Sequence, residues 1–92
     1  MVSLDIYVLI GCANCSYAAQ VARAIARAYP QVHVRLWDMA QTADIPEAVF
    51  AAPTYVLNGQ VVSLGNPDEK ALGLWLEHAL LECQSRPADT MP

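Results

Sequence analysis

Two cysteines separated by two residues are the side chains of this 92-residue sequence best suited to chemistry. Cys12 and Cys15 enclose an alanine and an asparagine. Thiol–disulfide exchange needs an attacking thiolate and a second thiol that can reach the mixed disulfide it forms. In the first turn of a helix, residues three apart share a face, and the unpaired amides favour an anion. The spacing therefore predicts Cys12 as the attacking thiol and Cys15 as the resolving thiol.

Other interpretations of the cysteine pair remain open. A Cys-x-x-Cys pair can hold Zn(II) or Cu(I), although the sequence has no second pair to complete a tetrahedral site, and we expect no metal. The pair could also be two small apolar side chains packed in a core. The third cysteine, Cys83, is predicted to be incidental, and His33 and His78 are predicted to have surface or structural roles.

The residues on either side of the pair predict a strand and a helix. Residues 4–10 are apolar on both faces, which is typical of a central strand covered on both sides, and Gly11 ends the run. Apolar residues at helical spacing predict a helix over residues 12–29, ended by Pro30. Alternation over residues 32–37 predicts a second strand, so this half is a βαβ unit with parallel strands.

The second half predicts a short helix and a hairpin. Residues 44–47, with a capping aspartate and an early proline, predict a helix that ends before Pro53. Two antiparallel strands are predicted over residues 54–57 and 60–64. The Asn58-Gly59 pair between them is the strongest short-range signal for a tight hairpin, because both residues tolerate positive φ.

A final helix is predicted after Gly65, with Asn66 or Asp68 as its cap. From residue 84 the composition becomes polar and proline-rich, which predicts one domain over residues 1–83 and a flexible tail over residues 84–92. The element order is β-α-β-α-β-β-α. It predicts an α/β fold, a four-stranded mixed sheet with helices on both faces. The apolar face of the last helix is expected to consist of Leu72, Trp75, Leu76, Ala79 and Leu80.

Composition excludes several classes of partner. The net charge is -4 and the few arginines are scattered, so nucleic acid is not an expected partner. No apolar stretch approaches the roughly 20 residues needed to cross a bilayer, and the first residues lack the pattern of a signal peptide. Three cysteines are too few for a secreted disulfide scaffold. We therefore expect a cytoplasmic protein with no membrane partner. We also expect a monomer.

These motifs, in this order, resemble the thioredoxin-like superfamily, and in particular its small, glutaredoxin-sized thioredoxins. The resemblance runs from residue 4 to about residue 82. It is carried by residues 11–15, by Ala-Pro-Thr at residues 52–54, by the Asn-Gly pair and by Gly65. It implies a thiol–disulfide oxidoreductase whose redox centre is a Cys12–Cys15 disulfide and which needs no organic cofactor.

The resemblance also implies a substrate groove and partners. Its substrates would be protein or small-molecule disulfides, and a reductase would donate electrons. The peptide bond between Ala52 and Pro53 would be cis, with the backbone beside Pro53 pairing with a substrate strand. The substrate-binding residues implied in this way are Gly11, Ala13, Asn14, Ala52, Pro53 and Thr54. An interaction domain that keeps the fold without cycling its cysteines is a further alternative.

Some positions depart from the common family pattern. Gly11 stands where many thioredoxins have tryptophan, and Ala13-Asn14 replaces Gly-Pro. No lysine precedes Cys12 and no Gly-Gly pair precedes the last helix, so glutathione binding is not expected. Asp5, which could act as a buried base for Cys15, is instead expected at the surface near a strand end.

Overall fold

The computed structural model of the chain describes residues 2–9, 11 and 13–85. Neither helix in this part of the chain is long and apolar enough to cross a membrane. The elements are β1 (Val2–Val8), α1 (Ala13–Ala28), β2 (Val32–Asp38), a 3₁₀ turn (Met39–Gln41), β3 (Thr54–Leu57), β4 (Gln60–Leu64) and α2 (Glu69–Ser85).

The four strands form one mixed sheet in the order β2-β1-β3-β4. β1 pairs in parallel with β2 and antiparallel with β3, and β3 pairs antiparallel with β4. Asn58 and Gly59 connect β3 and β4 with φ values of 50° and 84°, as the hairpin signal predicts. The predicted α/β class and the four-stranded mixed sheet are confirmed, and β1 is an inner strand, in agreement with its apolar character on both faces.

Both helices pack into the core on one face of the sheet, which corrects the expectation of helices on both faces. Alternate residues of β1, among them Leu4 and Ile6, point to this face and are fully buried. α1 contributes small residues, Ala18 and Ala22, which favour the helix and bring its backbone close to the sheet. The apolar stripe predicted for α2 is confirmed. Its buried members are Leu72, Leu76 and Ala79, with Trp75 and Leu80 partly buried.

The segment expected to form a second helix does not form one. After the 3₁₀ turn, residues 42–53 contain no helix, and the backbone amide of Val49 donates to the carbonyl of Pro46 at 2.9 Å in a single turn. The stretch between Pro46 and Pro53 is short, so a helix there would form too few internal hydrogen bonds to offset the free-energy cost of nucleation. Met39, Ile45 and Val49 from this irregular segment, rather than a helix, cover the second face of the sheet.

Asp5 is buried, which contradicts the surface role expected for it. Because β1 begins at Val2, position 5 lies in the middle of the strand, where it is 8% exposed. Arg35, its register neighbour on β2, donates to the two Asp5 carboxylate oxygens from Nε at 2.7 Å and from Nη2 at 3.2 Å. Trp37 donates from Nε1 to Oδ1 at 2.9 Å. These contacts balance the negative charge of the Asp5 carboxylate, which lies on the second face of the sheet, opposite the helices.

The last helix begins with a cap from Asp68, which settles the choice between the two candidates. Its Oδ2 accepts a hydrogen bond from the amide of Ala71 at 3.3 Å. The helix continues to Ser85, two residues into the segment predicted to be a tail. Residues 86–92, which make up the rest of that predicted tail, lie outside the described residues.

Candidate active site

The cysteine motif lies where β1 gives way to α1. Gly11 has φ of 92°, a left-handed conformation that side chains with a Cβ rarely adopt, and this explains the glycine before the first cysteine. Ala13 is the first residue of α1 and Cys15 lies within its first turn, as the spacing predicts. Cys12, the predicted attacking thiol, lies outside the described residues.

Cys15 is a buried cysteine with a directed contact to its sulfur. It is 4% exposed and belongs to the core cluster beneath the helices. The backbone amide of Leu9, just after β1, donates to Cys15 Sγ at 3.3 Å. A donor aimed at a sulfur stabilises negative charge on it. The contact therefore suits a sulfur that carries charge as an attacking or leaving group in exchange.

A shallow cavity of about 250 Å³ adjoins this sulfur on the side of β2. Leu9 and Leu36 are among its walls, and both are more than 40% exposed. The cavity gives Cys15 an apolar flank next to an open surface. Its lining residues are Val8, Leu9, Gly11, Cys15, Ser16, Ala19 and Leu36.

The segment before β3 has the geometry that the resemblance implies. The Ala52–Pro53 peptide bond is cis. Pro53 and Thr54 are fully buried, and Ala52 packs against the core cluster that contains Cys15. The amide of Gly65 donates to the Pro53 carbonyl at 2.7 Å. This bond anchors the loop before α2 to the segment that carries the proline.

Two hydrogen bonds connect β3 to the backbone of the motif. The Tyr55 hydroxyl donates to Asn66 Oδ1 at 2.9 Å, and Asn66 Nδ2 donates to the Asn14 carbonyl at 2.9 Å. Asn14 itself is exposed. The structure thus links Asn14, one of the predicted site residues, with two residues that the sequence analysis did not place in the site. A buried tyrosine needs a partner for its hydroxyl, and that need is the sequence signal that could have drawn attention to Tyr55.

A parallel contact joins the two helices near the motif. Tyr17 on α1 donates from its hydroxyl to Glu69 Oε2, at the start of α2, at 3.0 Å. This hydrogen bond, followed by the negative charge of Glu69, raises the pKa of Tyr17. Both aromatic hydroxyls of this region are therefore engaged with the beginning of α2 or with the loop before it.

Ionisation of Tyr55 makes the stability of the fold depend on pH in the alkaline range. Burial raises its pKa from 10.0 to about 12, with smaller contributions from Tyr17 and Cys15. A phenol with a raised pKa stabilises the fold fully below the unfolded-state value of 10.0, and this stabilisation is lost as the pH rises towards 12. We expect the ultraviolet titration of the folded protein to contain a phenolate step near pH 12.

The Tyr55→Phe variant should lack that step, and its unfolding free energy should fall less than that of the parent between pH 10 and pH 12. Tyr17→Phe is the matched control, because it removes an exposed phenol from the same region and leaves the Tyr55 step in place. A Tyr55→Phe protein that kept the step near pH 12 would contradict the assignment.

The remaining candidates lie away from this arrangement. His33 is exposed on β2, and His78 is exposed on α2, where its Nε2 lies 3.3 Å from Glu82 Oε2. Their surface placement agrees with the prediction. Cys83 falls within α2, and its incidental role stays a prediction. No group of three or more His, Cys, Asp or Glu side chains in residues 2–9, 11 and 13–85 is arranged to hold a metal ion.

Comparisons with known proteins agree with the fold. The family model described as a thioredoxin domain matches residues 2–77. No curated protein sequence shows a significant match to the chain. Among solved structures, the thioredoxin of Fasciola hepatica is 24% identical over 84% of this chain and 80% of that chain, with a TM-score of 0.68.

Two further thioredoxins have similar TM-scores. Mitochondrial thioredoxin 3 from Saccharomyces cerevisiae, in its oxidized form, is 26% identical, covering 84% of this chain and 77% of that chain with a TM-score of 0.67. The thioredoxin of Plasmodium falciparum is 19% identical, with coverages of 84% and 80% and a TM-score of 0.66. The chain belongs to the thioredoxin-domain family and is a thioredoxin-like redox protein, which confirms the resemblance drawn from its motifs.

Proposed function

We propose that this protein is a thiol–disulfide oxidoreductase that reduces disulfides through Cys12 and Cys15. The observation that carries the proposal is the placement of Cys15. Its sulfur is buried in the first turn of a helix that follows the central strand, and it accepts a hydrogen bond from the Leu9 amide. A buried position suits a resolving thiol, because this thiol must attack only after Cys12, one helical turn away, has formed the mixed disulfide with the substrate.

The exchange proceeds in two balanced displacements. The Cys12 thiolate attacks one sulfur of a substrate disulfide, forms a mixed disulfide and releases the other sulfur as a thiolate, which takes up a proton. Cys15, having lost its proton, then attacks Cys12 Sγ and releases the second substrate thiolate. The substrate gains two electrons and two protons, and the protein is left with a Cys12–Cys15 disulfide.

Helix amides supply the activation of Cys12 in this scheme. Ala13 and Asn14 add no charge, and no Lys, Arg or His adjoins Cys12 in the sequence. The positive end of α1 and its unpaired amides are then the main groups that favour a thiolate there. We infer a moderately acidic thiol, which suits a reductant as well as an oxidant.

We propose that substrates lie between the motif and the segment before β3. Since the Pro53 carbonyl accepts from Gly65, the backbone of Ala52 is the part of this segment that we assign to a substrate strand. Gly11, Ala13, Asn14 and Thr54 complete the proposed substrate surface. Reduction of the resulting disulfide by a reductase would close the cycle, and no organic cofactor takes part.

We propose that the substrates are protein disulfides. We also propose that the protein is a monomer of the cytoplasm. One structural neighbour, 25% identical, comes from work on thiol resolution in a yeast mitochondrial 1-Cys peroxiredoxin through glutathione and thioredoxin systems. Oxidised thiol proteins of that kind are suitable substrates to test. A reducing compartment would keep such a protein in its dithiol form.

A redox titration tests the proposal directly. The purified protein is equilibrated in glutathione buffers of graded potential, and its free thiols are counted by alkylation and mass spectrometry. We expect one reversible two-electron transition. We also expect NADPH-dependent insulin reduction when a thioredoxin reductase is present.

Cys83→Ser is the matched control, since it removes a cysteine outside the motif and should leave the transition unchanged. Absence of a reversible couple, or a stoichiometric Zn or Cu ion that is lost on oxidation, would exclude the proposed function. A reversible couple without insulin reduction would restrict the substrates to other disulfides.

A further inference from the structure

The two hydrogen bonds centred on Asn66 join parts of the protein that are far apart in sequence. Tyr55 lies on β3 two residues after Pro53, Asn66 lies in the loop before α2, and Asn14 lies between the two cysteines. Each bond is 2.9 Å long. The backbone between the cysteines is thereby tied through one side-chain amide to a residue in the middle of the core.

The orientation of the Asn66 amide is set by its partners. A backbone carbonyl only accepts hydrogen bonds, so the amide group must present its NH₂ to Asn14, which leaves Oδ1 for a donor. The buried Tyr55 hydroxyl is that donor, and burial raises its pKa to about 12, so it keeps its proton where thiols titrate. If the amide were reversed, Oδ1 would face the Asn14 carbonyl and the bond to Asn14 would be lost, although Nδ2 could still donate to the Tyr55 hydroxyl oxygen.

The loop that carries Asn66 is itself fixed on both sides. Gly65 is bonded to the Pro53 carbonyl at 2.7 Å, and Asp68 caps α2. Asn66 is partly buried between these two anchors. The hydrogen bonds on both sides of the loop therefore hold the Asn66 side chain in position to donate to Asn14. A side chain can position its neighbour only if it is itself held in place in this way.

We propose that Asn66 is a positioning residue of the cysteine motif, which holds the first turn of α1 through the Asn14 carbonyl and thereby sets how readily the Cys12–Cys15 pair is oxidised. This inference rests on the proposed function. The hydrogen bond from Asn66 partly neutralises the negative partial charge of the Asn14 carbonyl, which lies near the two sulfurs. It also stabilises the first turn of α1, whose amides favour a thiolate. Loss of the bond should therefore disfavour the reduced form.

The test compares Asn66→Ala and Asn66→Asp with the parent protein. One lost hydrogen bond corresponds to roughly a three- to tenfold change in an equilibrium constant. We expect the equilibrium with glutathione to shift three- to tenfold towards the Cys12–Cys15 disulfide in Asn66→Ala, or about 15–30 mV more negative for a two-electron couple. Alkylation of the reduced protein at pH 7 should slow by a similar factor.

Asn66→Asp should shift both measurements further in the same direction. A carboxylate can still accept from Tyr55, but it has no donor for the Asn14 carbonyl and adds negative charge to a region that already contains Asp68 and Glu69. Tyr55→Phe, which frees the amide to rotate, should give a smaller shift of the same sign. It also keeps the inference testable if an Asn66 variant does not fold.

Tyr17→Phe is the matched control, because it removes a neighbouring hydrogen bond between α1 and α2 without touching the Asn66 amide. It should change either measurement less than twofold. The inference is overturned if the parent shows a normal couple and the folded Asn66 and Tyr55 variants have the same one, or if Tyr17→Phe shifts it equally. A parent with no couple at all would instead overturn the proposed function.

Discussion

Replacing Cys12 by serine is expected to lower the rate of insulin reduction by a factor on the order of a thousand or more. A serine hydroxyl at this position is not ionised at neutral pH and attacks disulfides very poorly, because the thiolate is the nucleophile in exchange. The measurement is NADPH oxidation coupled through a thioredoxin reductase, with Cys83→Ser as a control that should retain the parent rate. Appreciable activity in Cys12→Ser would remove Cys12 from the mechanism.

Cys15→Ser separates the roles of the two cysteines. The first displacement should still occur in this variant, but the mixed disulfide on Cys12 then lacks its resolving thiol and accumulates. Non-reducing electrophoresis with a disulfide-containing substrate should show a covalent adduct that dithiothreitol releases. If Cys12→Ser rather than Cys15→Ser accumulated the adduct, the assignment of attacking and resolving thiols would be reversed.

The elements that position the site could be predicted from the sequence because each has a local cause. Alternation of apolar residues, helical spacing and the Asn58-Gly59 turn act over a few residues, and the structure places β3 and β4 at the predicted bounds. The cysteines could be recognised for the same reason, since a strand, a glycine turn and a helix follow one another around them. Local signals of this kind are independent of the rest of the fold.

Contacts between distant residues could not be predicted in the same way. The Tyr55, Asn66 and Asn14 connection joins three separate elements, and its only sequence trace is a tyrosine in an apolar strand. The short helix predicted to begin at residues 44–47 and to end before Pro53 does not form, although its signals are local. Its capping and proline signals are real local preferences, but too few residues follow to offset the cost of nucleation.

Asp5 shows why the position of a strand end matters. Starting β1 two residues earlier than the apolar run moves this side chain from the strand end to its middle, opposite Arg35. From the sequence, a carboxylate in that place would be costly unless it were compensated. The compensation comes from Arg35 and Trp37 of the neighbouring strand, where the guanidinium also lies 5.7 Å from the Trp37 ring centroid.

Arg35→Met should therefore destabilise the fold by about 2 kcal/mol, or lower the melting temperature by about 10 °C. Breaking a fully buried ion pair costs more, but 47% of the Arg35 side chain is exposed, so water screens the pair and can partly replace the lost bonds. The loss remains large because the Asp5 side chain is only 11% exposed and would retain Trp37 as its described donor. Urea unfolding followed by circular dichroism measures the difference.

Arg35→Lys and Arg23→Met distinguish the ion pair from a general loss of charge. Lysine keeps the charge but lacks the fork that supplies two donors, so Arg35→Lys should lose a large part of the same stability. Arg23 is exposed on α1, and its replacement by methionine should change the unfolding free energy by less than about 0.5 kcal/mol. Equal effects of Arg35→Met and Arg23→Met would show that the carboxylate of Asp5 is stabilised by water rather than by its neighbour on β2.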